Sequence, residues 1–348
     1  MSEPTSRRPV RSRWDPLTVG VDVGGTKVLA GVVDSAGRVL ARERRDTRGD
    51  DVVAVEDTVV DLVSEFSRHH DVAAVGIGAA GFVDAARSTV LFSPHLAWRD
   101  EPVRRAVMSR INLPVVVDND ANTAALAESK FGAGAGHRFV LCVTLGTGIG
   151  GGLVLDNRVY RGANGLAGEF GHMQVVPDGH RCPCGNRGCW EQYASGNALV
   201  RDAREVVVTN SPMAHRLRAM AGPDGSELTG PMVTEAARDG DPLATELLAD
   251  MGRWLGLGLA NMTAAFDPSC IVVGGGVSQA GELVLGPTRE AFSRQLVGRG
   301  HRPEPRILAA VLGPDAGFIG AADMARSAAR RSRRTSRRTS RLRRRYRA

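Results

Sequence analysis

The sequence lacks any apolar run long enough to cross a bilayer, and its first residues lack the apolar core of an export signal. A membrane-spanning helix needs about 20 mostly apolar residues, whereas the opening segment MSEPTSRRPVRSRW is polar and rich in arginine. These two absences favour a cytoplasmic protein. In that compartment cysteines serve as thiols or metal ligands, so disulfide bonds are not expected.

Lysine is nearly absent, and only Lys27 and Lys130 are found. Arginine therefore carries the positive charge, and twelve arginines lie in residues 326–348, a segment without any acidic residue. We expect this self-repelling segment to be disordered, as we do residues 1–16. It is either a solvated extension or a non-specific contact for nucleic acid or another anionic surface.

The length of 348 residues suits about two domains, and 43% hydrophobic with 24% charged residues is typical of a globular protein. Cysteine is scarce but clustered. Three of the five cysteines, Cys182, Cys184 and Cys189, follow closely after His172. Three thiolates and one imidazole form a closed tetrahedral shell of the structural zinc type. The alternative is a group of unrelated buried thiols.

Two carboxylates flank the predicted zinc loop. Glu169 precedes His172 by three positions, and Glu191 follows Cys189 by two. Because a metal-bound imidazole keeps one ring nitrogen for another partner, these three side chains would suit the hydroxyl groups of a polyol such as a sugar. Alternatively, both glutamates are solvated surface residues.

A strand–turn–strand pattern begins at Leu17, and its turn has the sequence Gly24-Gly25-Thr26-Lys27. Such a turn lets backbone amides approach a phosphate, and Asp22 at the end of the strand could hold a hydrated magnesium ion. It is not a Walker loop, because the Gly-Lys-Ser/Thr order is missing. A plain hairpin remains the alternative.

A second candidate site lies where the strand at 113–117 leads into the helix at 121–131. The connection is Asp118-Asn119-Asp120. In open α/β sheets, ligands bind at the carboxyl ends of strands. An aspartate at a helix start is often only an N-cap, but two aspartates around an asparagine favour a site.

Residues 139–155 form a second glycine-rich hairpin, with Thr144, Gly146, Thr147 and Gly148 at its turn. The letters match a dinucleotide fingerprint, but a strand rather than a helix follows, so we reject that interpretation. The repeated hairpin suggests two related domains that face one nucleotide. Gly274, Gly275 and Gly276 end a later strand and would allow close approach of a flat ligand such as adenine.

The motifs occur in a fixed order along the chain. They are Asp22-x-Gly24-Gly25-Thr26-Lys27, Asn119-Asp120-Ala121-Asn122, Leu145-Gly146-Thr147-Gly148-Ile149-Gly150, Glu169-x-x-His172, Cys182-x-Cys184-x4-Cys189-x-Glu191 and Gly274-Gly275-Gly276. Together, from about Leu17 to Ala325, they resemble the ROK family of bacterial sugar kinases and sugar-responsive repressors.

This resemblance implies an α/β, actin/hexokinase-like (ribonuclease H-like) fold, in which the active-site cleft lies between two domains. We expect a small domain at 17–118, completed by a C-terminal helix at 316–325. The large domain would span 119–315 and carry the zinc-binding loop 172–189.

The resemblance also implies a function. The stretch CGNRGCWEQYASG is most similar to actinobacterial-type glucokinases of this family, which transfer phosphate from ATP to the 6-hydroxyl of glucose. Asp120 matches the catalytic base. The matching sugar ligands are Asn119, Asp120, Glu169, His172 and Glu191. The matching phosphate and Mg2+ loops are Asp22, Gly24, Gly25, Thr26 and Lys27, with Thr144, Gly146, Thr147 and Gly148. Gly274, Gly275 and Gly276 match the adenosine site, and His172 is shared with zinc alongside Cys182, Cys184 and Cys189.

Alternatives remain within and beyond the kinases. Mannose, fructose, allose or N-acetylmannosamine could replace glucose, polyphosphate could replace ATP, and the protein could be a sugar sensor without catalysis. A repressor would need a helix-turn-helix, and the sixteen residues before Leu17 are too few for one, so we expect no specific nucleic-acid partner. A homodimer or homotetramer is expected.

Overall fold

The computed structural model describes residues 15–222 and 224–345, with side chains described up to Arg333. Disorder was predicted for residues 1–16. Of these, residues 1–14 lie outside the described part, and only Asp15 and Pro16 are described. Across the described residues, no helix is long and apolar enough to span a membrane.

Within the described residues, the strands form two five-stranded sheets and one small three-stranded sheet. The strands of the first sheet are β1 (Leu17–Val23), β2 (Lys27–Val33), β3 (Val39–Asp46), β4 (Val72–Ala79) and β8 (Val115–Asn119). The small sheet contains β5 (Phe82–Val83), β6 (Val90–Phe92) and β7 (Arg99–Glu101). The second large sheet contains β9 (Phe139–Leu145), β10 (Ile149–Leu155), β11 (Arg158–Tyr160), β12 (Cys270–Gly274) and β13 (Arg306–Ala309).

The two large sheets have the same topology. Their strand orders are β3-β2-β1-β4-β8 and β11-β10-β9-β12-β13. In each, the central strand pairs antiparallel with its hairpin partner and parallel with the next strand across the sheet. The two glycine-rich turns, β1–β2 and β9–β10, therefore occupy equivalent places in two related halves.

Ten α-helices occur in the described residues. They are α1 (Val52–His69), α2 (Val103–Met108), α3 (Asp120–Phe131), α4 (Glu191–Ala194), α5 (Gly196–Val208), α6 (His215–Ala221), α7 (Gly230–Arg238), α8 (Pro242–Phe266), α9 (Glu282–Gln295) and α10 (Ala316–Arg345). Short 3-10 helices cover Phe170–His172, Pro212–Ala214, Gly276–Ala280 and Gly313–Asp315.

Each half has its own hydrophobic core. In the first, α1 buries Val55, Val59, Leu62, Val63 and Phe66 against valines of the first sheet, as its apolar spacing predicts. In the second, the β9, β10 and β12 strands pack with α5, α7, α8 and α9 around a larger aliphatic cluster. The cleft residues lie where the strands of these two cores end.

Helices α3 and α10 pack against each other and connect the two sheets: α10 covers β1 and β4, and α3 covers β9 and β10. The close fit of α10 depends on glycine. A Cβ on Gly20 would lie 1.7 Å from Phe318 O, and one on Gly76 would lie 1.9 Å from Ala321 O. Any larger residue at either position would push α10 off the sheet.

The prediction that disorder begins at Arg326 is wrong for the described part of the C-terminus. Helix α10 continues to Arg345. Arg326 is 1% exposed and donates hydrogen bonds to Pro16 O, Thr18 Oγ1 and Val33 O, besides an ion pair with Asp323. Repulsion among the arginines does not disorder this part of α10, because the buried Arg326 guanidinium makes these hydrogen bonds and the ion pair.

Candidate active site

The β1–β2 turn is the first part of the site. It closes through a hydrogen bond from Gly24 N to Lys27 O of 3.0 Å. Asp22, at the end of β1, is half-buried. Burial raises the pKa of its carboxyl to about 7, nearby Asp120 raises it too, and Lys27 lowers it. The structure therefore brings Asp22 and Asp120 into one electrostatic environment, as the two motifs require.

At the junction between β8 and α3, Asn119 and Asp120 have different roles: Asn119 caps the helix, and Asp120 does not. Asn119 is the N-cap of α3, since its Oδ1 accepts from Asn122 N at 3.0 Å, and its Nδ2 donates to Gly81 O at 3.0 Å. Asp120 is the first helical residue, and its Oδ1 accepts from Ala121 N at 2.9 Å. Asp120 is thus not the cap, and its carboxylate lies near enough to Asp22 to raise the pKa of that carboxyl.

The charge on Asp120 is influenced by a residue that the sequence did not indicate. Burial raises the pKa of Asp120, while hydrogen bonds from the amides of Ala121 and Asp120 and the charge of His95 lower it. His95 lies between β6 and β7, and its backbone packs on the first turn: a Cβ on Gly25 would lie 2.6 Å from His95 O. The β6–β7 loop therefore lies beside both the first glycine-rich turn and Asp120.

The β9–β10 turn carries Thr144, Gly146, Thr147 and Gly148, and it is fastened to the start of α5. Gly196 N donates to Gly146 O at 2.9 Å, and Asn197 N donates to Thr147 O at 3.3 Å. The glycine segment after β12 lies against the same hairpin, because a Cβ on Gly275 would be 2.2 Å from Leu145 O. The second predicted phosphate turn and the predicted adenosine segment, Gly274, Gly275 and Gly276, are therefore neighbours.

The four predicted metal ligands form one cluster. The ligand atoms of His172, Cys182, Cys184 and Cys189 all lie within 4.8 Å of one another. Cys184 Sγ is 3.6 Å from Cys189 Sγ, and Cys182 Sγ is 3.6 Å from His172 Nδ1. A tetrahedral zinc shell with bonds of about 2.3 Å has edges of roughly 3.8 Å, so the donor set and spacing fit zinc.

The cluster is anchored to the large core by Trp190, which directly follows Cys189. Trp190 is 0% exposed, and its Nε1 donates to Trp254 O of α8 at 2.8 Å. The next residue, Glu191, points back to the cluster, with Oε1 at 3.2 Å from Cys182 Sγ and 3.6 Å from His172 Nδ1. This arrangement fixes Glu191 beside the imidazole, as the sugar-site prediction requires.

Glu169 interacts electrostatically with both the cysteine–histidine cluster and Asp120. Partial desolvation raises the pKa of the Glu169 carboxyl, although the residue is exposed to solvent; His172 lowers this pKa, and Asp120 and Glu191 raise it. The structure therefore groups Glu169, His172 and Glu191 from the second half with Asp120 at the junction. A polyol placed among them would meet several acceptors and one ring nitrogen.

Comparison with known proteins agrees with this geometry. The profile of the ROK family matches residues 18–328. The chain is 49% identical over 312 residues to a glucokinase of Streptomyces coelicolor, which covers 89% of this chain and 98% of that protein. The chain belongs to the ROK family.

Among solved structures, a ROK family glucokinase of Streptomyces griseus in complex with glucose and AMPPNP superposes with a TM-score of 0.80 and 51% identity, covering 89% of this chain and 99% of that one. A xylose repressor of Bacillus subtilis is 28% identical over 91% of this chain and 80% of the repressor. The actin/hexokinase-like fold predicted from the sequence is confirmed. This chain is thus similar both to glucokinases and to a repressor.

Proposed function

We propose that the protein is an ATP-dependent kinase that transfers phosphate to the 6-hydroxyl of glucose. The observation that carries the proposal is that Asp120 interacts electrostatically both with Asp22, beside the first glycine-rich turn, and with Glu169, beside the cysteine cluster. A non-catalytic sensor would need the hydroxyl ligands but not a carboxylate next to a phosphate turn. The similarity to glucokinases supports the same substrate and donor.

In this mechanism the sugar binds through Asn119, Asp120, Glu169, His172 and Glu191. The Asp120 carboxylate orients the 6-hydroxyl and accepts its proton late in the transfer, which is the usual role of a base in phosphoryl transfer. Burial raises the pKa of Asp120, so its carboxylate is a better proton acceptor than that of a solvated aspartate. Closure of the two halves over the sugar would exclude water and limit ATP hydrolysis.

The donor would lie between the two glycine-rich turns. Backbone amides of Gly24–Lys27 and Thr144–Gly148 would hold the phosphates, with the ammonium of Lys27 nearby, and Gly274–Gly276 would border the adenosine. Asp22 would hold Mg2+, which supplies charge neutralisation on the transferring phosphate. Such preorganised donors are the main source of catalysis in phosphoryl transfer, because the protein contributes little covalent chemistry.

The cluster of His172, Cys182, Cys184 and Cys189 would bind structural Zn2+, whose role is to fix the loop that carries His172 and Glu191. We also propose that the protein acts in the cytoplasm, where reduced thiols and ATP are available, and that it forms a homodimer or homotetramer. Light scattering on the purified protein would measure the assembly.

The function is tested by ADP release from ATP and Mg2+ with glucose, mannose, fructose, allose and N-acetylmannosamine, each supplied alone. The proposal predicts the highest kcat/KM with glucose and no sugar-dependent ADP from 6-deoxyglucose, which lacks the accepting hydroxyl. Turnover on another hexose would change the substrate and keep the mechanism. If no sugar phosphate formed from any sugar, with ATP or with polyphosphate as the donor, the kinase proposal would be overturned.

A further inference from the structure

We propose that Asp118 is a positioning residue that holds the base Asp120 and the Glu169 segment in register across the two halves of the molecule. The inference rests on the proposed function, because it assigns Asp120 and Glu169 to the same sugar. Asp118 is the residue before Asn119 in β8 and is 3% exposed. No sugar or phosphate role is assigned to it.

One oxygen of Asp118 organises the start of α3. Oδ1 accepts from Asn119 N at 3.0 Å and from Asn122 Nδ2 at 3.2 Å. These donors lie on either side of Asp120 in the chain, so a single carboxylate oxygen holds the backbone before the base and the helix turn after it. The direction of the Asp120 side chain is set by that backbone.

The other oxygen binds two arginines from different parts of the fold. Oδ2 accepts from Arg161 Nε at 2.9 Å and from Arg161 Nη2 at 2.6 Å. It also forms an ion pair with Arg87 Nε at 2.9 Å. Arg161 follows β11 of the second sheet, whereas Arg87 lies in the β5–β6 turn of the first half. The Asp118 carboxylate therefore contacts side chains from both halves of the molecule.

Arg161 begins the segment that ends at Glu169. Its carbonyl accepts from Ala167 N at 3.1 Å, which folds the segment into a compact loop. Within this loop Gly165 packs on the β5–β6 turn, since a Cβ there would lie 2.5 Å from Val83 O. A shift of Arg161 would be transmitted to Glu169 through this loop, while a shift of the β8 end would be transmitted to Asp120.

The Asn variant is informative because it keeps the size and the acceptor oxygen of Asp118 but removes the charge. Asp118→Asn would leave two partly buried guanidiniums, 19% and 23% exposed, facing a neutral amide, which is a costly arrangement. Arg161 and Arg87 would then separate from the end of β8. Because Asp120 and Glu169 both contact the sugar in the proposed mechanism, glucose binding and turnover would suffer, whereas ATP binding would not.

The matched control is Asp323, another buried aspartate between two cations. Its Oδ2 lies 2.7 Å from Lys130 Nζ and its Oδ1 3.2 Å from Arg326 Nη1, within the α3–α10 packing. Asp323 is also 3% exposed. Asp323→Asn therefore removes an equally buried charge away from the proposed sugar-binding residues. It shows how much activity is lost through reduced stability alone.

The experiment measures kcat, KM for glucose, KM for ATP and Tm for the wild type, Asp118→Asn, Asp118→Glu and Asp323→Asn. For Asp118→Asn we expect KM for glucose to rise and kcat to fall by roughly tenfold to 100-fold, the order of a misplacement of about 1 Å, with KM for ATP nearly unchanged. Asp118→Glu should recover part of the loss, because it keeps the charge. Asp323→Asn should lower Tm and leave both KM values unchanged.

The outcomes separate the two proposals. Suppose that the wild type is active and that Asp118→Asn, like Asp323→Asn, changes only in Tm. That result would overturn the positioning role of Asp118 but not the proposed function. An equal rise in KM for glucose and for ATP would also overturn it, since the cluster would then support the fold generally. A wild type silent on every sugar would overturn the proposed function and this inference with it.

Discussion

At the scale of single residues, the site depends on carboxyl groups whose charge is controlled by their surroundings. Asp22 and Asp120 lie close enough to raise the pKa of Asp22 electrostatically, beyond the larger effect of burial. A cation bound between phosphate and Asp22 would remove this penalty. In the proposed mechanism, the proximity of these two carboxyl groups would therefore favour binding of a metal-bound nucleotide.

The raised pKa of Asp22 predicts a pH-dependent stability. Its folded pKa, about 7, lies above the ordinary value of 3.8 for an aspartate, so between these values the native state holds a proton that the unfolded state has released. The free energy of unfolding contributed by this group must decrease as pH rises between these values. Denaturant unfolding without nucleotide, at about pH 5 and about pH 8, measures the effect.

The control for that experiment is Asp22→Asn, which cannot titrate. We expect the wild type to lose more stability than Asp22→Asn between the two pH values, and Mg2+ with ATP to abolish the difference. Identical pH dependence in the two proteins would show that Asp22 titrates normally in the folded state.

At the scale of secondary-structure elements, the β9–β10 turn is proposed to contact both the sugar and the phosphates. A Cβ on Gly148 would lie 2.4 Å from Glu191 Oε2, whereas a Cβ on Gly146 would have nothing within 4 Å. The two glycines therefore test different parts of the site. Gly148 leaves room for the sugar-side glutamate, and Gly146 faces the open side where the phosphates are proposed to bind.

Gly148→Ala should displace Glu191 and raise KM for glucose by roughly tenfold, the order of one lost charge-assisted hydrogen bond. KM for ATP should change little. Gly146→Ala is the matched control, and we expect it to raise KM for ATP without changing KM for glucose. If both variants changed the same KM, the division of the turn between sugar and phosphate would be wrong.

The zinc loop is the second element with a separable role. Cys184 is exposed and contributes one ligand of the cluster, so Cys184→Ser should fold but lose the metal. We expect zinc content to fall from one ion per chain, Tm to drop by roughly 5 °C or more, and KM for glucose to rise as His172 and Glu191 lose their support. Metal analysis and thermal unfolding measure these changes.

The control is Cys142→Ala, which removes a buried thiol of β9 outside the cluster. It should keep its zinc and its KM for glucose, even if Tm falls from lost packing. A Cys184→Ser variant that retained zinc and affinity would contradict the structural role of the loop.

At the scale of the whole molecule, two related sheets meet through α3 and α10, and the family match ends at residue 328. The arginine-rich continuation of α10 lies beyond it. Deleting residues 334–348 keeps the buried Arg326 and should leave kcat and both KM values unchanged. If the tail contacts nucleic acid, a DNA mobility shift that weakens with salt should disappear on deletion; a loss of activity would show that the tail belongs to the catalytic fold.

Much of this site could be predicted from the sequence because its signals are local. The two glycine turns, the cysteine spacing and the Asn119-Asp120 junction each lie within a few residues. The Asp118–Arg161 pair could not be predicted, since its partners are 43 residues apart in the chain and meet only when the sheets assemble. His95 was missed for the same reason. The helical Arg326 was misjudged because its partners, from Pro16 to Val33, are more than 290 residues away.

The central claim is that Asp120 acts as the base for glucose phosphorylation, and it is tested most directly by glucose-dependent ADP release from Asp120→Asn. The matched control is Asp156→Asn, which removes an exposed carboxylate paired with Arg138 at the opposite end of β10. The account predicts that Asp156→Asn retains wild-type turnover while Asp120→Asn loses roughly 100-fold or more in kcat. Turnover by Asp120→Asn close to that of the wild type would contradict it.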